Sequence, residues 1–273
     1  MDLCIEPYSN LKRLFRQEQQ QYNPSLYNAI FNPHPYYDML RGDIDECCEI
    51  ALRYDLVVDE KRGLLTGGRN IYQDSFLNEF RVARLFERYF GKGRLNWDPP
   101  GAGASVGEFL LSTENTPEQP GIFVEVKTRE KQKSTENGTL ISSAFDIIGS
   151  LQKAYSKMKA SSDIPSLVVL CHDHFNVAID EFQIVKSCFG VVVFPKGYPE
   201  VISHGYFSPY SHKNLSAVGL YYYYVNPENR EFKEYFEVIH NHYAKTQIAK
   251  HIFENKADKQ FYLLEWDGKF TDD

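Results

Sequence analysis

The sequence predicts an α/β protein, a mixed central β-sheet flanked by helices, preceded by a mostly helical N-terminal region. Three observations carry that expectation. Phe76, Phe80, Ala83, Phe86 and Phe90 recur at steps of four, three, three and four, the spacing of one helix face, and Gly91 follows as a stop. Two short apolar segments, 105–111 and 121–128, are separated by a Pro-containing loop, the pattern of paired strands. Residues 143–160 return to helical period through Ala144, Ile147, Ile148, Leu151, Tyr155 and Met158. The Val-rich runs 166–171 and 190–194 then read as strands covered on both faces.

Composition sets the outer bounds. The chain has 273 residues, 42% apolar and 25% charged, with 19 Tyr and 19 Phe, the profile of a packed protein and not of a disordered one. No apolar run approaches the roughly 20 residues of a membrane-spanning helix, and the first residues, Met-Asp-Leu-Cys-Ile-Glu-Pro, lack the layout of a secretory signal. A soluble, cytoplasmic protein is expected. Five Cys at positions 4, 47, 48, 171 and 188 make no disulfide framework.

Residues 1–70 carry Pro24, Pro33, Pro35 and Gly42, with a helix expected over 45–54. The paired glycines Gly67-Gly68 mark the boundary to a second domain, 71–273. The net charge of −7 argues against a dedicated nucleic-acid binder, yet residues 125–160 hold seven basic and four acidic residues. An anionic ligand would be drawn to that segment.

The chemistry centres on Ile122-Phe123-Val124-Glu125-Val126-Lys127. In a strand, Glu125 and Lys127 project from one face and Val124 and Val126 from the other. Upstream, Glu108 opens the apolar Phe109-Leu110-Leu111, and antiparallel pairing would bring it toward Glu125. Glu79 sits on the apolar stripe of the 74–90 helix, where a carboxylate needs a partner, and Glu87 falls near the same stripe. Three converging carboxylates beside a lysine require a cation, and hard oxygen donors select Mg²⁺ or Mn²⁺.

A helix with an inward Glu, an acid opening an apolar strand, Glu-x-Lys in the next strand and an amphipathic helix with Gln152-Lys153 together resemble the PD-(D/E)xK nuclease superfamily, which has the restriction-endonuclease-like fold. The resemblance covers about 74–175. It implies that Glu108 and Glu125 are the metal-holding acids, Lys127 the catalytic lysine and Glu79 a supporting acid. It also implies hydrolysis of DNA phosphodiesters, with Arg129, Lys131, Lys133, Lys153 and Lys157 contacting phosphates, and it is compatible with a homo-oligomer. The family usually has Pro-Asp where this chain has Gly107-Glu108, and Asp98, before Pro99-Pro100, is a second candidate for the first acid. The alternative is a catalytically inactive nuclease-fold protein that binds nucleic acid or protein.

Other constellations lead elsewhere. Cys171-His172-Asp173-His174, with Cys188 and His204, lacks the spacing of a zinc site. His240-Asn241-His242 reads as a polar strand-to-helix turn, with His240 or Asn241 bonding local backbone, and Tyr221–Tyr224 as a strand with aromatic residues on both faces. Gly101-Ala102-Gly103-Ala104 lacks the Lys-Ser/Thr of a phosphate-binding loop.

Overall fold

The computed structural model describes residues 7–14, 32–56, 70–97, 109–113, 121–128, 147–158, 163–173, 181–226, 228 and 231–266. The chain forms two compact units, one of residues 1–88 with 223–234 and one of 89–222 with 235–273. The expected boundary at Gly67-Gly68 lies outside the described residues.

The first unit is helical, with α1 (Ser9–Leu14), α2 (Pro35–Arg53) and most of α3 (Asn70–Phe90). The helix expected over 45–54 starts ten residues earlier. Gly42 sits within α2 with open space around it, so it does not end the helix. Asp45 fastens α1 to α2, accepting from the Leu11 amide at 2.7 Å and from Asn10 Nδ2 at 3.1 Å. On α3 the expected apolar face is buried at Phe80, Ala83 and Phe86. A second, polar stripe of Asn78, Arg81, Arg84 and Glu87 is buried as well. Arg81 and Arg84 both grip Asp43 of α2, at 2.6 and 2.8 Å, and Arg84 also reaches Glu234 at 2.5 Å. Burial alone would push the Asp43 carboxyl up, but the two guanidinium groups outweigh it and hold it below its ordinary range. Arg81 also lies 4.6 Å from the Tyr223 ring centre, tying the end of a β-hairpin into this unit.

The second unit is built on a mixed sheet. In chain order the strands of the sheet are β1 (Leu95–Trp97), β2 (Phe109–Leu111), β3 (Ile122–Thr128), β4 (Ser166–Asp173), β7 (Ala217–Asn226), β8 (Glu231–His240) and β9 (Lys259–Phe261), of which 223–226 and 231–234 are counted in the first unit, while β5 (Val191–Val193) and β6 (Glu200–Ser203) stand apart from it. The seven strands lie in the order β1-β2-β3-β4-β7-β8-β9. Strands β1, β2 and β3 pair antiparallel, whereas β3 pairs with β4, and β8 with β9, in parallel. The parallel step from β3 to β4 is bridged by α4 (Ile147–Met158), as a crossover requires. Leu151 and Ala154 of α4 pack with Val168, Leu170, Val218 and Leu220 in one core, joined by Ile184 and Phe189 of α5 (Glu181–Phe189).

The expectation that 190–194 forms a strand buried on both faces is corrected. Strand β5 pairs only with β6, in a separate two-stranded sheet, and Val191 is 48% exposed. Gly190 makes the sharp exit from α5 with φ of +83°, and a Cβ there would lie 1.9 Å from the Ser203 carbonyl oxygen. By contrast, β4 is buried from Ser166 to Cys171, as its apolar run predicts. Among the described residues no helix is long and apolar enough to cross a membrane.

Candidate functional site

The site begins with β3. Ile-Phe-Val-Glu-Val is rich in β-branched and aromatic residues, which suits a pleated surface, and all five side chains are buried. Gly121 lets the chain enter close to its neighbour, since a Cβ there would lie 2.3 Å from the Leu111 carbonyl oxygen. The register with β2 pairs Phe109 with Val124, and the register with β4 sets Glu125 beside Val168 and Lys127 beside Leu170. Side-by-side partners in a sheet share a face, so Glu125 and Lys127 lie on the face that α4 covers.

Glu125 is 0% exposed, and Lys127 Nζ donates to its Oε1 while keeping 21% of its own side chain exposed. The lysine thus leads from a dry carboxylate toward water. Removing two charges from water costs several kcal/mol per ion, and a well-packed apolar pair of similar volume is commonly as stable or more so. Stability alone does not account for an ion pair on an interior strand whose other buried residues are Ile122, Phe123, Val124 and Val126.

The predicted site residues fall into three groups. Glu125 and Lys127 are brought together as expected. Lys153 is exposed on α4 and Lys157 lies in its last turn, while Glu79 is partly exposed on α3 in the first unit. Glu108, Asp98, Arg129, Lys131 and Lys133 lie outside the described residues. Among the described residues there is no group of three or more His, Cys, Asp or Glu that could hold a metal. Among the described residues the site offers one hard oxygen donor group, the Glu125 carboxylate, which already accepts from Lys127 Nζ. Glu108 directly precedes Phe109, whose partner Val124 directly precedes Glu125.

The competing constellations resolve into structural roles. Cys171 and Cys188 are buried free thiols, and burial pushes the Cys188 thiol up, which makes it unreactive. Asn241 ends β8, donating to the Leu215 carbonyl oxygen at 2.7 Å and accepting from the Tyr243 amide at 3.0 Å, so the expected turn forms although no helix follows directly. Tyr221 and Tyr223 are buried on β7, and Tyr222 stacks on Tyr235 at 4.9 Å. Sequence reasoning placed Glu87 only near the apolar stripe and missed the buried acid Asp43. The signal was present in Arg81, Arg84 and Arg88, which repeat at helical spacing and require acidic partners. Glu87 takes Arg53 and, at 2.7 Å, the Tyr54 hydroxyl. No protein-family model, curated protein or solved structure matches this chain.

Proposed function

We propose that this chain is a metal-dependent nuclease of the PD-(D/E)xK kind, hydrolysing DNA phosphodiester bonds. The observation that carries the reading is the buried Glu125 with Lys127 two residues on, in the third strand of a helix-strand-strand-strand-helix-strand order whose last two strands are parallel. Glu125 and Glu108 would hold Mg²⁺ or Mn²⁺. When bound, such an ion polarises the phosphoryl group and lowers the pKa of a water. Lys127, whose ammonium donates to Glu125, would offset charge developing on the phosphoryl oxygens and orient the attacking water. Burial of Glu125 holds the carboxylate in one place and raises the strength of its electrostatic interactions. Arg129, Lys131, Lys133, Lys153 and Lys157 are phosphate contacts that position the substrate without reading its sequence. The four described cysteines, all free, agree with a reducing, cytoplasmic setting.

The test is cleavage of circular duplex and single-stranded DNA by the purified chain in Mg²⁺ and in Mn²⁺. Glu125→Gln and Lys127→Met are each expected to lower the rate by at least ~10². Circular dichroism and melting report whether each variant is folded. Metal-dependent cleavage that survives unchanged in folded Glu125→Gln would overturn the assignment. Absence of cleavage by the wild type on every substrate would leave the non-catalytic binding module.

A further inference from the structure

The surface most at odds with a purely structural role is formed by residues 204–213 and 242–245. Tyr210 is 86% exposed, an unusual position for a large aromatic ring. It meets the exposed His204 edge-on at 5.9 Å, and His204 meets Tyr243 edge-on at 5.8 Å, so three rings from two distant segments form one cluster. The cluster stands on a rigid base. The His212 ring stacks on Tyr206 at 4.0 Å and an interplanar angle of 16°, and its Nδ1 donates to the Tyr206 carbonyl oxygen at 3.0 Å. These interactions hold His212 at a φ of +56°. The Tyr210 amide donates to Ser208 Oγ at 3.1 Å, which fixes the backbone that carries the exposed ring.

Two exposed lysines, Lys213 and Lys245, lie on the segments that carry the rings, and Lys245 Nζ pairs with Asp163 at 2.9 Å. The amide of Lys245 donates to the Lys213 carbonyl oxygen at 2.8 Å, which sets two lysine-bearing segments side by side. Segments 204–213 and 242–245 hold two lysines and no acid, in a chain whose net charge is −7. Helix α4 links this surface to the candidate site. Its buried side packs over Val168 and Leu170, the strand neighbours of Glu125 and Lys127, and its Tyr155 meets the His212 ring edge-on at 4.9 Å.

The exposed rings of Tyr210 and His204, backed by the half-buried Tyr243 and with lysines on the same segments, are the elements of a single-strand binding surface. The rings stack on base faces, the ammonium groups follow the phosphates, and a duplex hides the faces that stacking needs. We propose that Tyr210, His204 and Tyr243, with Lys213 and Lys245, form a stacking platform for an unpaired strand of nucleic acid. The inference rests on the nuclease reading for its choice of nucleic acid, and it deepens that reading by assigning a substrate with a single-stranded portion.

The test is fluorescence anisotropy of the full chain with a labelled oligothymidylate and with a duplex of equal length, in EDTA so that no cleavage occurs. The wild type is expected to prefer the single strand. Tyr210→Ala should weaken single-strand binding by about 5- to 100-fold, from the usual worth of one base stack, while duplex binding is unchanged. Tyr210→Phe keeps the ring and should keep the affinity. Lys213→Gln with Lys245→Gln should flatten the slope of log affinity against log salt by about 0.7 for each phosphate that is no longer neutralised. Equal single-strand affinity in Tyr210→Ala and wild type would overturn the proposal. So would a wild type that ignores oligonucleotides but self-associates through Tyr210, which would assign the surface to protein. The binding readout needs no metal, so the platform can fail while Glu125-dependent cleavage stands, and the reverse.

Discussion

Removing Lys127 alone should be far worse for the fold than removing Lys127 and Glu125 together. Lys127→Met leaves a fully buried carboxylate without its ammonium, a defect that typically costs ~3–5 kcal/mol. The fifth of the Lys127 side chain that remains exposed lets some water approach, which places the expectation near ~3 kcal/mol. Glu125→Leu with Lys127→Met removes both charges and sets a leucine beside Val168 in the α4-covered core. Exchange of a buried ion pair for apolar residues of similar volume is often neutral or stabilising by ~1–4 kcal/mol, so the double variant should be at least about as stable as the wild type. Urea unfolding of the wild type, both single variants and the double variant closes a cycle whose coupling should exceed ~2 kcal/mol. The double variant should also be inactive on DNA, which would separate what the pair does for chemistry from what it does for stability. A Lys127→Met protein within ~1 kcal/mol of wild type, or a double variant less stable than the sum of the singles, would refute the reasoning that this pair is desolvated.

Two other outcomes follow from buried charge. Burial lowers the His240 pKa to about 4, despite the bond from its Nε2 to Gln260 Oε1 at 3.0 Å. The unfolded chain therefore takes up a proton near pH 6.5 that the folded one refuses, so the His240 contribution is complete above that pH and is lost as pH falls toward 4. Wild-type stability, read by urea titrations across that window, should fall by up to roughly 3 kcal/mol more than that of His240→Phe, and parallel curves would contradict this. In the first unit, Asp43→Asn strips Arg81 and Arg84 of a shared, buried counter-charge and should cost ~3–5 kcal/mol. The loss should appear as faster thiol labelling of the buried Cys47 and Cys48, localised by mass spectrometry, and wild-type labelling rates would count against the network.

Local periodicity made much of the fold and the centre of the candidate site legible. The alternation in Ile122–Lys127 places Glu125 and Lys127 on one face whatever the strand pairs with, because the pleat alone sets that relation. The apolar face of α3, the strand β4 and the turn at Asn241 follow from equally short-range rules. What the sequence could not decide were partners. Val191–Val193 has the composition of a buried strand, yet it lies in a separate two-stranded pair because that depends on where α5 ends and how Gly190 turns. The burial of Asp43 is set by α3, 38 residues away at Arg81, and not by anything in its own helix. Tyr210, His204 and Tyr243 form one surface only because two loops are brought together in the folded chain, and His212 accepts a left-handed backbone because Tyr206 supplies both the stack and the carbonyl. Side-chain direction is a property of a few consecutive residues, whereas burial and neighbourhood depend on interactions between segments far apart in the chain, and those form only in the tertiary structure.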